Sequence, residues 1–377
     1  MRTFAPQPLP PWKRAVLKVG SSLLAADGGG LSPRFALGLA QFVLASHHAG
    51  RELVIVSSGA VAAGRALLAN GKTAGRTIAA KQALAALGQA QLIALWQRFF
   101  DAPVAQVLLT HDDLRNRRRY LNARSALLEL LQLGALPIVN ENDTVAVDEL
   151  KLGDNDNLAA AVASLVDADL LLIATDIGGL YSGHPQREPT AQPLLRIDCI
   201  TTEVMAMAGE AGALGTGGMR TKLEAADKAA TAGITTALFS GRDATTVAAL
   251  AQGVLQGTLF AAQGSRLSAR KQWLRHAPTS GVLQVDAGAQ AALRRGASLL
   301  PGGVRAVRGE FRRGDVLEIV AADGTRLARG QAQYNATDAA RIHGHHSREI
   351  EGILGFRYDE AMIHRDDLVL LQQEGMA

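Results

Sequence analysis

The stretch Ala15-Val16-Leu17-Lys18-Val19-Gly20-Ser21-Ser22 is a short apolar run that ends in glycine and serine and contains a single lysine. The same pattern returns at Leu53-Val54-Ile55-Val56-Ser57-Ser58-Gly59-Ala60. Short apolar runs bounded by turn residues are typical of strands that are buried on both faces of a parallel sheet. The two stretches therefore predict parallel strands that end in polar turns.

Similar apolar runs alternate with longer Ala- and Leu-rich segments as far as Phe260, a pattern typical of parallel strands joined by crossover helices. The predicted strands are 15–19, 53–56, 104–109, 136–139, 170–174 and 235–239. The predicted helices are 33–48, 77–100, 118–133, 157–166 and 219–232. Ser32-Pro33 supplies an N-cap and a first-turn residue for the first of these helices. The sequence therefore predicts an α/β fold with a mostly parallel sheet.

The composition changes beyond Phe260, and this change predicts a second domain. Residues 263–280 are polar and basic and form the predicted linker. Short strand-like runs follow, and Asp323-Gly324 is a strong hairpin signal. We expect one domain at 13–262 and a small, mainly β domain at 281–362. A flexible extension at 1–12 and a tail at 363–377 would flank them.

The composition also limits the class of protein. Of 377 residues, 48% are hydrophobic and 20% are charged, which excludes a disordered chain. Cys199 is the only cysteine, so an intrachain disulfide is excluded and a reducing cytoplasm is expected. The first twelve residues contain four prolines and no apolar signal region. The longest uncharged run, 244–265, is broken by Gly, Gln and Thr, so no membrane association is expected.

Two segments have the chemistry of phosphate binding. Lys18 interrupts an apolar strand immediately before a Gly-Ser-Ser turn, although a lysine can also extend from a strand end into solvent. The run 215–222 has three glycines and two threonines at the start of a helix and ends in Lys222, although a mobile surface loop has a similar composition. Ala66 breaks a P-loop pattern and Arg220 breaks a dinucleotide-binding pattern, so a nucleotide site would be of another type.

Amide and carboxylate side chains cluster in two other segments, Asn140-Glu141-Asn142-Asp143 and Gly153-Asp154-Asn155-Asp156-Asn157. Such clusters can hold an ammonium group or order Mg-bound water, while Asn155 or Asp156 could equally cap a helix. Thr175-Asp176 ends an aliphatic run, where it could face a nucleotide or begin a turn.

Together these segments resemble the glutamate 5-kinase family of the amino-acid kinase superfamily. The resemblance covers about Val16 to Arg365, and residues 281–359 are similar to the PUA domain of the long family members. The stretches that carry it are 17–22, 54–60, 139–143, 153–157 and 215–219. The sequence departs from the family at Ser57, where Thr is usual, and at Arg220, where a small residue is common.

The resemblance implies a three-layer α/β sandwich about an eight-stranded sheet and transfer of the ATP γ-phosphoryl group to the side-chain carboxylate of glutamate. By motif position it implies catalytic roles for Lys18, Lys222 and Asp156. It also implies two sets of binding residues. Glutamate would be held by Ser58, Asp143 and Asn155, and ATP by Lys18, Thr175, Asp176, Thr216, Gly217, Gly218, Met219, Arg220, Thr221 and Lys222.

A carboxylate is already ionised at neutral pH and needs no general base, so alignment, two lysines and Mg²⁺ held by the ATP phosphates and water suffice. The acyl phosphate product hydrolyses readily, which suggests handover to a glutamyl phosphate reductase. Proline is a candidate feedback inhibitor, and a homo-oligomer is expected.

Two other functions compete with this one. A kinase for acetylglutamate or aspartate would have a similar phosphate site. PUA domains elsewhere bind RNA, but residues 281–377 contain twelve Arg, no Lys and thirteen Asp plus Glu. Since a phosphate-binding surface needs a basic excess, nucleic-acid binding is disfavoured.

Overall fold

The computed structural model describes residues 3–26, 29–68, 77–146, 155–183, 185, 188, 190–208, 218–264, 271, 274–275 and 277–371. The chain divides into two compact units. The first comprises Met1–Arg115 and Asn122–Ser265, and the second comprises Asn116–Leu121 and Arg266–Ala377.

Of the ten strands described in the first unit, six follow the predicted apolar runs closely and four were not predicted. The ten are β1 (Gln7–Pro8), β2 (Arg14–Val19), β3 (Glu52–Ser57), β4 (Val104–Leu109), β5 (Leu136–Glu141), β6 (Leu170–Thr175), β7 (Arg196–Ile197), β8 (Thr235–Ser240), β9 (Val254–Leu255) and β10 (Gly257–Phe260). Eight of them form one sheet in the order β4-β5-β3-β2-β6-β8-β10-β7. Only the β8–β10 pair is antiparallel in that sheet. This sheet confirms the predicted fold class.

The helices between residues 21 and 251 connect these strands. They are α1 (Ser21–Leu24), α2 (Ala36–His48), α3 (Ala60–Leu67), α4 (Ile78–Gln97), α5 (His111–Arg115), α6 (Arg117–Gln132), α7 (Asn155–Leu165), α8 (Thr202–Ala206), α9 (Met219–Thr231) and α10 (Ala244–Ala251).

Side chains of β2 point alternately to the two faces of the sheet, and helices cover each face, so the fold has three layers. Leu17 and Val19 point into a core shared with Phe42 of α2, Trp96 of α4 and Leu250 of α10. Successive side chains of a strand point to opposite faces, so the intervening positions face the other layer. There α7 packs against β2, and α9 packs against β6 and β8. This is the face toward which the lysine of β2 points.

The N-terminal residues differ from the expected flexible extension. Gln7 and Pro8 pair with Leu255 and Val254, and the Gln7 side chain donates hydrogen bonds to the carbonyl oxygens of Leu195 (2.8 Å) and Gly257 (2.9 Å). Phe4, Leu9 and Trp12 are buried. Prolines favour an extended segment, and this one is held in place by burial of the large apolar side chains within and beside the proline-rich stretch.

The helices also differ from the sequence predictions, in the start of α2 and in short helices that were not predicted. Ser32-Pro33 does not cap α2, which begins at Ala36 after Phe35; the Ser32 hydroxyl instead accepts a hydrogen bond from Arg34 N at 3.2 Å. The short helices α3 and α10 were not predicted. Asp243 caps α10 by accepting hydrogen bonds from Thr245 N and Thr246 N. Aspartate is a favoured N-cap residue, so Asp243 was the sequence feature that could have predicted the start of this helix.

Helix α4 is long and apolar enough to cross a membrane by length and composition alone, a test that core helices of water-soluble proteins also pass. It packs closely against α3. A Cβ added to Gly64 would overlap the carbonyl oxygen of Leu84, and one added to Gly88 would overlap that of Ala60. The two helices therefore touch backbone to backbone at these glycines.

The second unit contains a five-stranded sheet in the order β12-β11-β13-β14-β15. Its strands are β11 (Thr279–Val285), β12 (Val304–Arg308), β13 (Val316–Val320), β14 (Arg326–Gln331) and β15 (Leu368–Leu370), and its helices are α11 (Ala287–Arg294), α12 (Ala336–Ile342) and α13 (Ile350–Leu354). The predicted hairpin joins antiparallel β13 and β14, with Gly324 at a φ of 87°.

The C-terminal tail expected from 363 onward differs in the structure. Strand β15 pairs with β14, and Leu368 and Val369 are buried, so the chain as far as Leu371 belongs to this sheet. Three residues are too short a run for periodicity to identify.

Candidate active site

Two lysines and one aspartate meet where β2 ends and α7 and α9 begin. Lys18 Nζ lies 2.6 Å from Asp156 Oδ1, and Lys222 Nζ lies 3.1 Å from Asp156 Oδ2. The Thr221 hydroxyl lies 2.8 Å from Asp156 Oδ2 and 2.9 Å from the carbonyl oxygen of Gly218. Lys18, Asp156 and Lys222 are all buried. The structure thus brings together the three residues predicted as catalytic.

The neighbours of Asp156 determine its protonation state. Burial alone would raise the pKa of Asp156, but the charges of Lys18 and Lys222 and hydrogen bonds from Lys18 and Thr221 outweigh burial and lower it to about 2. The carboxylate is therefore ionised at neutral pH. Two ammonium groups lie against it in a poorly solvated place, where the attraction of each for an anion is strong.

Local sequence explains how each member reaches the cluster. Lys18 is on the face of β2 that α7 covers. Asp156 is in the first turn of α7, where a carboxylate is favoured by the helix dipole, and Lys222 is in the first turn of α9, which packs against α7. Helix α7 begins at Asn155, two residues before the predicted start, so Asn155 and Asp156 both belong to its first turn.

A second group, made of amides and hydroxyls, adjoins the charged cluster. The Nδ2 of Asn155 lies 2.8 Å from Ser58 Oγ, 3.0 Å from Asn140 Oδ1 and 3.3 Å from the carbonyl oxygen of Ser57. Ser58 N donates to the carbonyl oxygen of Val19 at 3.3 Å, which ties the start of the Ser58 turn to the end of β2. The charged and amide groups therefore share the first turn of α7.

Asp143 lies just beyond the end of β5, at the same edge of the sheet. Burial raises its pKa, and the charge of Glu141 raises it further, to about 6. A carboxylate that is costly to ionise becomes easier to ionise when a cation binds beside it. Asp143 is thus suited to receive an ammonium group.

The residues predicted to contact a nucleotide are only partly within the described chain. Thr175 is buried at the end of β6, and its hydroxyl lies 3.2 Å from Asp176 Oδ1. Gly218 precedes α9, Met219 begins it, and Arg220 is exposed and pairs with Glu224 at 3.2 Å. Thr216 and Gly217, like Gly153 and Asp154, lie outside the described residues.

Sequence reasoning missed three side chains that support this site. Gln89 and Trp96 of α4 reach it through Asn140 and Ser57: Asn140 Nδ2 donates to Gln89 Oε1 at 2.9 Å, and Trp96 Nε1 donates to Ser57 Oγ at 2.9 Å. Arg242, after β8, lies 3.9 Å from Asp176. Of the three, Gln89 could have been found from the sequence, because a glutamine that interrupts the apolar face of a long helix needs a buried polar partner.

Comparison with known proteins gives two family matches. Residues 13–240 match the amino acid kinase family, and residues 281–354 match the PUA domain.

Similar proteins of known name span nearly the full chain. A glutamate 5-kinase of Xanthomonas axonopodis pv. citri (strain 306) is 68% identical over 363 residues, which cover 94% of this chain and 100% of that protein. A glutamate 5-kinase of Xylella fastidiosa (strain M12) is 64% identical over 375 residues, covering 98% of each chain. Among solved structures, a UMP kinase from Bacillus anthracis is 16% identical with a TM-score of 0.48 and covers 68% of this chain and 98% of its own.

Proposed function

The chain belongs to the amino acid kinase family and, within it, to the glutamate 5-kinases, and from this membership we propose that it transfers the γ-phosphoryl group of ATP to the side-chain carboxylate of L-glutamate. The product would be L-glutamyl 5-phosphate, in the first step of proline biosynthesis.

The observation that carries the proposal is the buried cluster of Lys18, Asp156 and Lys222. Phosphoryl transfer requires little covalent chemistry from a protein, because catalysis rests on alignment and on neutralising the charge of the transferring group. Two ammonium groups held 2.6 and 3.1 Å from one carboxylate are oriented before the substrate arrives. Asp156 positions both, and we assign the two ammonium groups to the phosphoryl oxygens.

The acceptor needs no catalytic base. A substrate carboxylate has an ordinary pKa near 4.3 and is ionised at neutral pH, so it attacks the phosphorus without losing a proton. This chemistry matches a site whose charged groups are lysines and whose nearest carboxylate, Asp156, is held by both of them.

We assign glutamate to the amide side of the site. Ser58 and Asn155 would bind its carboxylate and amino groups, and Asp143 would pair with its α-ammonium. Because Asn155 and Asp156 are adjacent, a substrate held by Asn155 lies next to the charged cluster.

We assign ATP to the ends of β6 and α9. Thr175, Asp176 and Gly218 to Lys222 would contact it, together with Thr216 and Gly217. Since Lys18 and Lys222 occupy the oxygens of Asp156, these residues fit a Mg²⁺ ion that is held mainly by ATP phosphates and water. When bound, Mg²⁺ neutralises phosphate charge.

A substrate panel tests the proposal. The enzyme is incubated with ATP, Mg²⁺ and hydroxylamine, which traps an acyl phosphate as a hydroxamate, and with glutamate, aspartate or N-acetylglutamate as acceptor. We expect hydroxamate from glutamate at a kcat/KM at least about a hundredfold above the other acids. N-acetylglutamate has no ammonium group to pair with Asp143, and the side chain of aspartate is one methylene too short to place its carboxylate against the phosphoryl group. If another acid gives the higher kcat/KM, that acid and not glutamate is the substrate.

Further proposals concern the setting of the reaction. We place the enzyme in the cytoplasm as a homo-oligomer, with its labile product passed to a glutamyl phosphate reductase and with proline as feedback inhibitor. Adding proline to the glutamate assay tests feedback inhibition. Measuring the mass of the enzyme in solution tests whether it is a homo-oligomer. Nucleic-acid binding is not proposed, because residues 281–377 carry a net charge of −1.

A further inference from the structure

Gln89 is a polar residue on the buried face of an otherwise apolar helix segment. It is 9% exposed and lies on α4 among the buried residues Leu84, Ala85, Leu92 and Trp96. Burying an amide costs free energy unless it forms hydrogen bonds, so a buried glutamine in such a place requires a compensating contact.

That contact is the first link of a chain of amides that ends at the substrate side of the site. Gln89 Oε1 accepts from Asn140 Nδ2 at 2.9 Å, and Asn140 Oδ1 accepts from Asn155 Nδ2 at 3.0 Å. Asn155 Nδ2 also lies 2.8 Å from Ser58 Oγ. Side chains separated by 51 and then 15 positions in the sequence are thereby connected.

The chain has a direction. An amide oxygen only accepts and an amide nitrogen only donates, so the carbonyl oxygen of Ser57, 3.3 Å from Asn155 Nδ2, fixes which end of Asn155 faces Asn140. Asn140 then presents its oxygen to Asn155, and its own nitrogen donates to Gln89 Oε1. The Oδ1 of Asn155 is buried and has no hydrogen-bond partner among the described residues. A buried acceptor in this state is costly unless a donor reaches it.

We propose that Gln89 is a positioning residue: by accepting from Asn140 Nδ2 it keeps Asn140 Oδ1 on Asn155 Nδ2, and so helps to hold Asn155 Oδ1 toward the α-ammonium group of glutamate. This inference rests on the proposed function. Without the acceptor at Gln89, Asn140 Nδ2 either stays buried and unpaired or turns toward Asn155, where two amide nitrogens would face each other. In either case Asn155 is no longer held in the orientation that glutamate binding requires.

The test compares two substitutions at one position. Gln89→Met keeps the length of the side chain and removes the acceptor. Gln89→Glu keeps an acceptor oxygen in place of an amide whose Nε2 has no partner in the described part of the chain, but it also buries a carboxyl group, which carries a cost of its own. Gln91→Met is the matched control, since Gln91 lies on the same helix with an exposed side chain.

We measure kcat and KM for glutamate, KM for ATP, and turnover of glutarate, which lacks the ammonium group. Q89M is expected to raise the glutamate KM about tenfold, the scale of one lost hydrogen bond to a charged group, with the ATP KM unchanged. Its preference for glutamate over glutarate falls by a similar factor. Q91M stays within about threefold of wild type, and Q89E, which keeps the acceptor but buries a carboxyl group, has a glutamate KM between those of Q91M and Q89M.

The outcomes separate this inference from the proposed function. If wild type does not phosphorylate glutamate, both fall. If wild type is active and Q89M has an unchanged glutamate KM, or loses kcat and both KM values alike, only the positioning role is overturned. Thermal unfolding is recorded for each variant, and Gln89→Leu replaces Q89M should Q89M fail to fold.

Discussion

Lys222 is the residue whose removal should affect the chemical step most directly. Its ammonium lies 3.1 Å from Asp156 and is buried at the start of α9. We expect Lys222→Ala to lower kcat by about a hundredfold or more, the scale of one lost transition-state contact, with little change in the glutamate KM. Steady-state kinetics check this. Lys228→Ala on the same helix is the control, and a fully active Lys222→Ala enzyme would remove Lys222 from the mechanism.

Asp143 should act on substrate binding. We expect Asp143→Ala to raise the glutamate KM by about tenfold or more, because a charge-assisted contact to the ammonium is lost, while the ATP KM stays unchanged. Initial rates at varied glutamate and saturating ATP measure the effect. Unchanged saturation by glutamate would contradict the assignment.

The raised pKa of Asp143 also predicts a pH dependence. Because burial and the charge of Glu141 raise this pKa to about 6, Asp143 is mostly ionised at pH 7 and becomes protonated as the pH falls through about 6. Only the ionised form attracts the ammonium, so the glutamate KM should rise on acidification below about pH 6 toward the value of the Asp143→Ala enzyme, about tenfold or more above that at pH 7. Asp143→Asn should lack this rise. A wild-type KM that stays constant from pH 7.5 to 5 would exclude the role.

The raised pKa of Asp143 also affects the free energy of unfolding. A salt-bridged aspartate, whose pKa is lowered, stabilises the fold when it ionises, whereas ionisation of Asp143 destabilises it. Asp143 is harder to ionise in the folded protein than at its ordinary pKa of 3.8. Its ionisation therefore reduces the free energy of unfolding as the pH rises from about 3.8 to 6. Glutamate binding should recover part of this stability, since the ammonium stabilises the ionised form.

Among helices and strands, the α3–α4 contact is the most sensitive to substitution. Gly88 meets the backbone of Ala60 directly, and α3 begins just after Ser58 and Gly59. We expect Gly88→Ala to reduce the free energy of unfolding by about 1–3 kcal/mol through overpacking, and to raise the glutamate KM because α3 is displaced. Thermal unfolding and kinetics test both effects.

A glycine in another helix provides the control. A Cβ at Gly38 of α2 would lie 3.8 Å from Val247 Cγ1, an ordinary contact. Gly38→Ala should therefore be neutral or stabilising by about 0.5–1 kcal/mol, since alanine favours helix. Equal destabilisation by both substitutions would mean that the α3–α4 approach is not the cause.

Across the full chain, the site residues named above, from Lys18 to Lys222, all precede residue 263. We expect a fragment of residues 1–280 to fold and to phosphorylate glutamate, because a domain with its own core can usually fold alone. Circular dichroism and hydroxamate formation measure this. A folded but inactive fragment would mean that residues 281–377 complete the site.

The complementary fragment tests the remaining alternative. Residues 281–377 carry a net charge of −1, so we expect no salt-sensitive RNA retention at physiological ionic strength. Tight retention on an RNA column would restore nucleic-acid binding as a function of this part of the chain.

The amino-acid sequence was sufficient for the strands β2 to β6 and β8, the fold class and the charged motifs, because periodicity and turn chemistry are local. Each of the strands β2 to β6 is an apolar run that differs from its predicted bounds by at most two residues. Lys18 and Lys222 were identifiable because each stands beside glycines at a strand end or a helix start.

Only the tertiary structure decided the contacts between distant segments. The N-terminal strand pairs with residues some 250 positions away, a partner that a Pro-rich stretch does not reveal. Gln89 and Trp96 reach the site over 51 and 39 positions, since α4 returns along the sheet edge where β3 and β5 end. The physical reason is that a buried amide or indole must find a hydrogen-bond partner wherever packing places it, and packing is a property of the assembled layers.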